Sequence, residues 1–218
     1  MTPVMRITPR TVTEEERATA GAYPLWPVIL CGAIVLIAFM SEATVEVWSA
    51  LHIERTLNGG AAEGALGPAT LGLTMAIGRF SGQALSDRLS DGVVVRVAAC
   101  LSATGAVLAA LAQTPLMAYA GFGILGLGVS VIGPIGLAIV GRIVSPRWRT
   151  TAISQAAVMG FSGFFFAPVL MGTLSQLYGL RVAFLCVAGL LLLTLPVMAL
   201  VSRRFGAAAR QGQQGQTG

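Results

Sequence analysis

Residues 97–141 read VAACLSATGAVLAALAQTPLMAYAGFGILGLGVSVIGPIGLAIVG, and no side chain in this stretch carries a charge. A helix needs roughly 20 mainly apolar residues to cross the hydrocarbon core of a membrane, so the stretch is too long for one crossing. Gln113-Thr114-Pro115 supplies a break, because proline ends helices and favours turns. The stretch therefore predicts two membrane helices, at about 93–113 and 116–141.

The rest of the chain contains four more apolar segments of spanning length. The first is interrupted only by Glu42 and Glu46, and the second holds a single charge, Arg79. Prolines inside the later segments are compatible with membrane helices, since neighbouring helices satisfy the freed backbone groups. We therefore predict an all-α membrane protein with six transmembrane helices. The four additional spans cover about 27–50, 66–86, 151–177 and 182–202.

Composition indicates that this chain lies in a lipid bilayer. Hydrophobic residues make up 55% and charged residues 11% of the 218 residues, whereas soluble domains carry about a quarter charged residues. This excess of apolar side chains cannot be buried inside a globule of this length. The formal net charge of +5 does not indicate nucleic acid as a partner. The arginines are scattered over short loops instead of lining one face.

The distribution of arginine predicts the orientation in the membrane. If the segment before the first span is cytoplasmic, eleven arginines lie on that side and two, Arg55 and Arg181, on the other. The positive-inside rule then places both termini in the cytoplasm, with the protein in the cell's inner (plasma) membrane. We expect residues 1–25 to form a cytoplasmic leader and residues 205–218 a disordered cytoplasmic tail. The eleven arginines are Arg6, Arg10, Arg17, Arg88, Arg96, Arg142, Arg147, Arg149, Arg203, Arg204 and Arg210.

The loop between the second and third predicted spans reads GRFSGQALSDRLSDGVVVR over residues 78–96. An aspartate–arginine pair at the end of a helix, followed by a glycine and a basic residue, resembles the loop motif of the major facilitator superfamily. The loop also carries an additional acid, Asp91. The matching residues are Asp87 and Arg88 for the pair, and Gly92 and Arg96 for the glycine and the basic end.

This resemblance covers about residues 25–205 and fits the C-terminal half of a twelve-helix transporter. It implies a six-helix unit of 3+3 inverted repeats, with the substrate bound between two such units. A single unit has no opposite wall for its cavity, so the implied partner is a second copy in a homodimer or a missing N-terminal half. The implied function is secondary-active transport of a small solute by alternating access, and the implied role of the loop is gating. The alternative is a truncated or non-transporting membrane scaffold protein.

Charged side chains within the spans are candidates for function, because burying a charge in a membrane is costly. Glu42 and Glu46 are four residues apart and therefore share one face of the first helix, in the outer third of the span. Two carboxylates in a poorly hydrated site suit proton coupling or the binding of a cation. If both side chains reach water at the outer interface, no function is needed to explain them.

Two further polar side chains are candidates for substrate binding or proton coupling. Arg79 lies about two turns inside the cytoplasmic end of its span, where reaching the cytoplasm and pairing near Asp87 is the simplest expectation. It can instead bind an anionic substrate group or pair with an acid on a neighbouring helix. Gln155 is the most evident polar side chain of the fifth span. The glycines of the fourth span are expected to serve helix packing.

Other kinds of chemistry are not indicated. The single histidine, His52, is expected in a loop near a helix end, and alone it can form neither a metal site nor a catalytic pair. We therefore expect no enzymatic activity, metal or cofactor. The small-molecule substrate stays open, since sugars, organic acids and hydrophobic drugs all use the implied architecture.

Overall fold

The computed structural model describes Tyr23, residues 25–86 and residues 89–214, without the side chains of 83–86 and 206–214. This described part folds into helices and contains no strand. The helices are α1 (Leu25–Thr56), α2 (Ala61–Ser86), α3 (Asp91–Ala110), α4 (Pro115–Ile143), α5 (Arg149–Phe161), α6 (Gly163–Tyr178) and α7 (Leu180–Gln214).

Five stretches of the described chain are helical, long enough and apolar enough to cross a membrane. They are α1, α3, α4, the combined α5 and α6, and α7 as far as Phe205. The predicted span 66–86 lies within α2, whose 26 residues have the length but not the apolar character of the other five. Glu63, Arg79 and several residues with hydroxyl groups lower the apolar character of α2. The Thr74 hydroxyl donates to the carbonyl oxygens of Thr70 at 2.9 Å and Leu71 at 3.0 Å, so its polar group is satisfied within the helix.

The last helix is longer than the span predicted for it. The sequence ends that span near residue 202 and places a disordered tail over 205–218. In the structure α7 continues as far as Gln214. The three alanines at 207–209 favour a helical backbone and account for part of this extension.

Helix α4 occupies the centre of the bundle, where it packs against α1, α2, α3, α5 and α7. Its closest neighbour is α3. A Cβ atom on Gly121 would lie 2.5 Å from the backbone nitrogen of Ala109, and one on Gly105 would lie 2.6 Å from the carbonyl oxygen of Gly121. The backbones of α3 and α4 are therefore in direct contact, which only glycine permits.

The glycines of α4 also set its contacts with α1 and α2. A Cβ atom on Gly126 would lie 3.1 Å from the carbonyl oxygen of Leu71 in α2. On the α1 side, a Cβ atom on Gly133 would lie 2.7 Å from the ring of Phe39. The packing role predicted for these glycines is confirmed by these contacts.

The turn between α3 and α4 is determined by local chemistry. Helix α3 ends at Ala110, and Thr114 is the N-cap of α4, with its side-chain oxygen accepting from the Met117 N–H at 3.3 Å. Pro115 occupies the first turn of α4, where its missing N–H removes no helical hydrogen bond. The two helices therefore separate at the break that Gln113-Thr114-Pro115 predicts.

His52 was expected in a loop, and this prediction is wrong. The residue lies within α1, and its side chain is fully buried between Phe122 of α4 and Phe184 of α7, at ring-centroid distances of 6.4 and 5.0 Å. Its Nε2 lies 3.0 Å from the carbonyl oxygen of Ala109. A carbonyl oxygen can only accept, so Nε2 carries the hydrogen. The ring thus ties α1 to the end of α3, which requires α1 to continue past the predicted end at residue 50.

The fifth predicted span, 151–177, is formed by α5 and α6, which meet at Ser162. Gly163 lies against the backbone of α1, where a Cβ atom would be 2.8 Å from the Leu36 carbonyl oxygen and 2.9 Å from the Met40 nitrogen. This close approach fixes the position of the α5–α6 pair beside α1.

Helices α2 and α6, which both contact α1, expose large apolar side chains. In α2, Leu73 is 66% and Phe80 83% exposed, and in α6 Phe165 is 80% and Val169 67% exposed. Such side chains are covered in a membrane either by lipid or by another protein unit.

The contact between α3 and α4 predicts a selective sensitivity to added volume. We expect Gly121→Leu to lower the stability of the detergent-solubilised protein by about 1–3 kcal/mol or more, because the new side chain meets backbone that cannot move aside. Thermal unfolding monitored by circular dichroism measures this loss. The control is Gly189→Ala, since no atom lies within 4 Å of a Cβ atom there. Equal unfolding temperatures for both variants would contradict the proposed backbone contact.

Candidate functional site

Glu42 of α1 and Arg79 of α2 form an ion pair between these two helices. The guanidinium Nη2 of Arg79 lies 3.8 Å from the carboxylate Oε1 of Glu42. The Glu42 side chain is 20% exposed, and that of Arg79 is 59% exposed. Arg79 therefore pairs with an acid on a neighbouring helix, which is not the simplest expectation from the sequence. At this distance the pair is loose, without a short charged hydrogen bond.

An open cleft of about 200 Å³ lies at this ion pair. Glu46 also lines it, so the structure brings together three of the four predicted substrate or coupling residues. Gly72 faces open space, because no atom lies within 4 Å of a Cβ atom placed on it. The α2 wall of the cleft is otherwise apolar and consists of Pro68, Leu71 and Met75.

Glu46 differs from Glu42 in its surroundings. It is exposed, and it forms no ion pair within the part of the chain that the structure describes. The cleft therefore contains two carboxylates and one guanidinium, which gives a formal charge of −1 when all three are ionised. An acid without a cationic partner in a membrane cleft can take up a proton or bind a cation.

Gln155 does not belong to this cleft. Its Oε1 accepts a hydrogen bond from the hydroxyl of Tyr23, a residue that lies just before the start of α1. Tyr23 precedes Glu42 by 19 residues, or roughly 28 Å along the helix axis at 1.5 Å per residue. Tyr23 also packs edge-on against Trp148, at 5.4 Å between ring centroids. Gln155 thus lies in a contact between the start of α1 and α5.

The loop motif between α2 and α3 is described only in part. Asp87 and Arg88 lie outside the described residues. Gly92 faces α7, where a Cβ atom would lie 3.2 Å from the Ser202 hydroxyl oxygen. Arg96 is exposed. The glycine of the motif therefore allows α3 to approach α7 closely at this end of the bundle.

The additional acid of the loop, Asp91, forms the shortest ion pair among the described residues. Its Oδ2 lies 2.6 Å from Nη2 of Arg142, and the two side chains are 14% and 22% exposed. Asp91 is in the first turn of α3 and Arg142 in the last turn of α4. Each charge lies at the helix end where the helix dipole favours it. This pair fastens the open end of the α3–α4 hairpin.

Sequence reasoning missed this pair, although a signal for it was present. Helices α3 and α4 are antiparallel neighbours joined by a short turn, so the start of one lies beside the end of the other. An acid at the first position and a base at the last are opposite charges at matching depth. Asp91 was noted only as an addition to the loop motif, and Arg142 only as a charge that sets the orientation.

A bundle with five helical stretches long and apolar enough to cross a membrane indicates a multi-pass membrane protein. The chain belongs to the Major Facilitator Superfamily, whose family model matches residues 30–217. The family indicated by the loop residues 78–96 is thereby confirmed.

Curated relatives of this chain come from several bacteria. An uncharacterised MFS-type transporter of Yersinia pestis is 29% identical over 178 residues, which cover 81% of this chain and 46% of the relative. The membrane protein MosC of Rhizobium meliloti is 25% identical over 171 residues, which cover 78% of this chain and 42% of MosC. An uncharacterised transporter of Sinorhizobium fredii is 25% identical, and the match covers 50% of that transporter. The chain spans about half the length of these relatives.

Solved structures with a similar fold include the peptide transporter POT. The crystal structure of POT in complex with sulfate gives a TM-score of 0.75 at 17% identity, and covers 82% of this chain and 38% of POT. A structure of a POT mutant in complex with alafosfalin gives a TM-score of 0.74. At this identity the likeness establishes a shared fold.

The ion pair between Asp91 and Arg142 predicts a measurable coupling. In a double-mutant cycle with Asp91→Asn and Arg142→Gln, we expect a coupling free energy of unfolding of about 1–2 kcal/mol, because the pair is short and mostly shielded from solvent. The cycle is measured by chemical denaturation in detergent. The same cycle with Glu42→Gln and Arg79→Gln provides the comparison, since that pair is longer and more exposed. A coupling no larger for Asp91–Arg142 than for Glu42–Arg79 would contradict the assignment.

Proposed function

We propose that the chain is one half of a secondary transporter that moves a small solute across the inner (plasma) membrane by alternating access. The cleft between α1 and α2 is the observation that carries this proposal, because it holds an acid–base pair and a further acid within the spans of a major facilitator fold. In this proposal Glu42 is the proton-coupling group. When Glu42 takes up a proton, Arg79 loses its partner, and the contact between α1 and α2 weakens.

The proposed topology has six crossings, with α2 as the second of them. The 26 residues of α2 span about 39 Å at 1.5 Å per residue, which is enough to cross. Its lower apolar content fits a helix that faces a polar cleft on one side. Six crossings would leave both termini on the same side of the membrane, and the arginine distribution predicts that this side is the cytoplasm. The 3+3 inverted repeat of the family is then formed by α1–α3 and by α4–α7.

The opposite wall of the transport cavity has to come from another six-helix unit. A second copy of this chain or an N-terminal half from another polypeptide segment both satisfy this requirement. The uncovered apolar side chains of α2 and α6 lie on either side of α1, so a second unit placed there would enclose the cleft. We propose this side as the cavity side.

The cytoplasmic loop between α2 and α3 is proposed to act as a gate. Asp91 and Arg142 hold the ends of α3 and α4 together, so these two helices move as one body. In this proposal the gating role belongs to Asp87 and Arg88, as the family motif implies. This proposed role rests on the family motif and on the ion pair that holds α3 and α4 together.

Flux measurements with a charge-neutral variant test the proposal. In proteoliposomes with an imposed pH gradient, uptake is measured for a labelled sugar, a labelled organic acid and a labelled organic amine. We expect Glu42→Gln to reduce gradient-driven uptake by at least about tenfold, as removal of a proton-transferring acid does. The same substitution at Glu54, an exposed residue of α1 outside the cleft, is the control and should keep uptake within about twofold. Unchanged gradient-driven uptake by Glu42→Gln contradicts coupling through this residue.

The mass of the purified protein separates the transporter from the scaffold alternative. Coverage of only about half of each relative favours testing that alternative. Light scattering corrected for bound detergent should give a stable dimer, or a complex with a second six-helix protein, if the unit works in transport. A monodisperse monomer of 22.5 kDa with no co-purifying partner would instead favour a non-transporting scaffold or fragment.

A further inference from the structure

Three phenylalanine rings cluster around Phe39 of α1, three residues before Glu42. Phe39 of α1 lies 5.1 Å from Phe161 and 5.8 Å from Phe164, measured between ring centroids. Phe161 and Phe164 are stacked at 6.3 Å, so all three rings are in mutual contact. This aromatic cluster is not sealed in the core, because Phe161 is 56% exposed. An aromatic surface that is open towards one side can receive a ligand.

The aromatic cluster and the carboxylates follow one another along α1. Phe39, Glu42 and Glu46 are separated by three and four residues, which places them on one side of a helix. The seven residues from Phe39 to Glu46 correspond to roughly 10 Å along the axis. A ligand of that length reaches from the aromatic rings to both carboxylates.

The charges of the cleft favour a cation over an anion. Arg79 is already opposed by Glu42, while Glu46 has no cationic partner within the described residues. An anion bound to Arg79 would have to displace Glu42 and would still face Glu46. A cation meets one unpaired carboxylate, and it gains a second when the loosely held and exposed Arg79 moves aside.

The size and lining of the cleft restrict the charged end of the ligand. The cleft measures about 200 Å³, and its α2 wall is apolar where Leu71 and Met75 line it. A small ammonium group fits this space better than a bulky polar headgroup. The apolar body of the ligand would then lie over the aromatic cluster, outside the cleft.

We propose that this side of the protein binds an organic amine, with its ammonium between Glu42 and Glu46 and its apolar or aromatic body on Phe39, Phe161 and Phe164. The inference rests on the proposed function and names the substrate class of the same site. It adds the aromatic cluster to the charged cleft as part of the binding site. An amine also suits exchange with a proton, because the carboxylates can be occupied by only one of the two cations at a time.

Equilibrium binding of three matched probes tests the charge preference. The probes are 4-phenylbutylamine, 4-phenylbutanol and 4-phenylbutyrate, which share one body and carry a positive, a zero and a negative charge at neutral pH. Binding to the full chain in detergent micelles is measured by isothermal titration calorimetry, with empty micelles subtracted. We expect the amine to bind at least about tenfold more tightly than the alcohol, and the butyrate to bind most weakly. Equal affinities, tighter binding of the butyrate, or no binding of the amine would overturn the proposal.

Variants locate the binding site on the protein. Glu46→Gln should remove most of the difference between the amine and the alcohol. Phe161→Leu should weaken both probes together, because it removes an aromatic face but no charge. The control is Glu54→Gln, which makes the same change as Glu46→Gln outside the cleft and should leave all affinities unchanged. Each variant is used only if its unfolding temperature matches that of the unchanged protein. Loss of amine selectivity in Glu54→Gln, or its retention in Glu46→Gln, would place the site elsewhere.

Binding and flux separate this inference from the proposed function. Selective binding of the amine without uptake in proteoliposomes would support the ligand class and overturn transport by this chain. Gradient-driven uptake of the labelled sugar or acid, with no selective amine binding, would support transport and overturn the ligand class.

Discussion

The direct contact between the backbones of α3 and α4 is the constraint on which the remaining packing depends. In lipid there is little hydrophobic gain when two apolar helices associate, so close van der Waals packing must hold them together. Gly105 and Gly121 provide that packing because neither has a side chain to keep the helices apart. With α3 pressed against one side of α4, the other sides of α4 receive α1 and α2. The cleft between α1 and α2 is therefore positioned by glycines on α3 and α4 that do not line it.

Two ion pairs connect neighbouring helices in the described part of the chain, and their geometries suit different tasks. Asp91 and Arg142 are 2.6 Å apart and mostly shielded, and both charges agree with the dipoles of their helices. Glu42 and Arg79 are 3.8 Å apart beside an open cleft. A short, shielded pair keeps two helices together as one body. A long, accessible pair can be exchanged for a proton or a ligand charge at modest cost, which is what a coupling site requires.

The parts of the fold and of the site that could be predicted are those that depend on residues close together in the sequence. The shared face of Glu42 and Glu46 follows from helical periodicity, and the turn at Gln113-Thr114-Pro115 follows from the way proline ends helices. The partner of Arg79 could not be predicted in the same way, because it lies on another helix. The burial of His52 was missed for a related reason: its environment consists of rings and a carbonyl supplied by three other helices.

The sequence by itself determined that the protein lies in a lipid bilayer and where its helical segments are. Through the loop residues 78–96 it also determined the family. These properties are local, since each apolar stretch must satisfy its own backbone groups inside lipid whatever surrounds it. The tertiary structure alone decided which charges meet and which aromatic rings contact one another. These pairings depend on the rotation and depth of each helix. Close contacts between residues far apart in the chain, such as Gly126 with Leu71 and Gly163 with Leu36, set that rotation and depth.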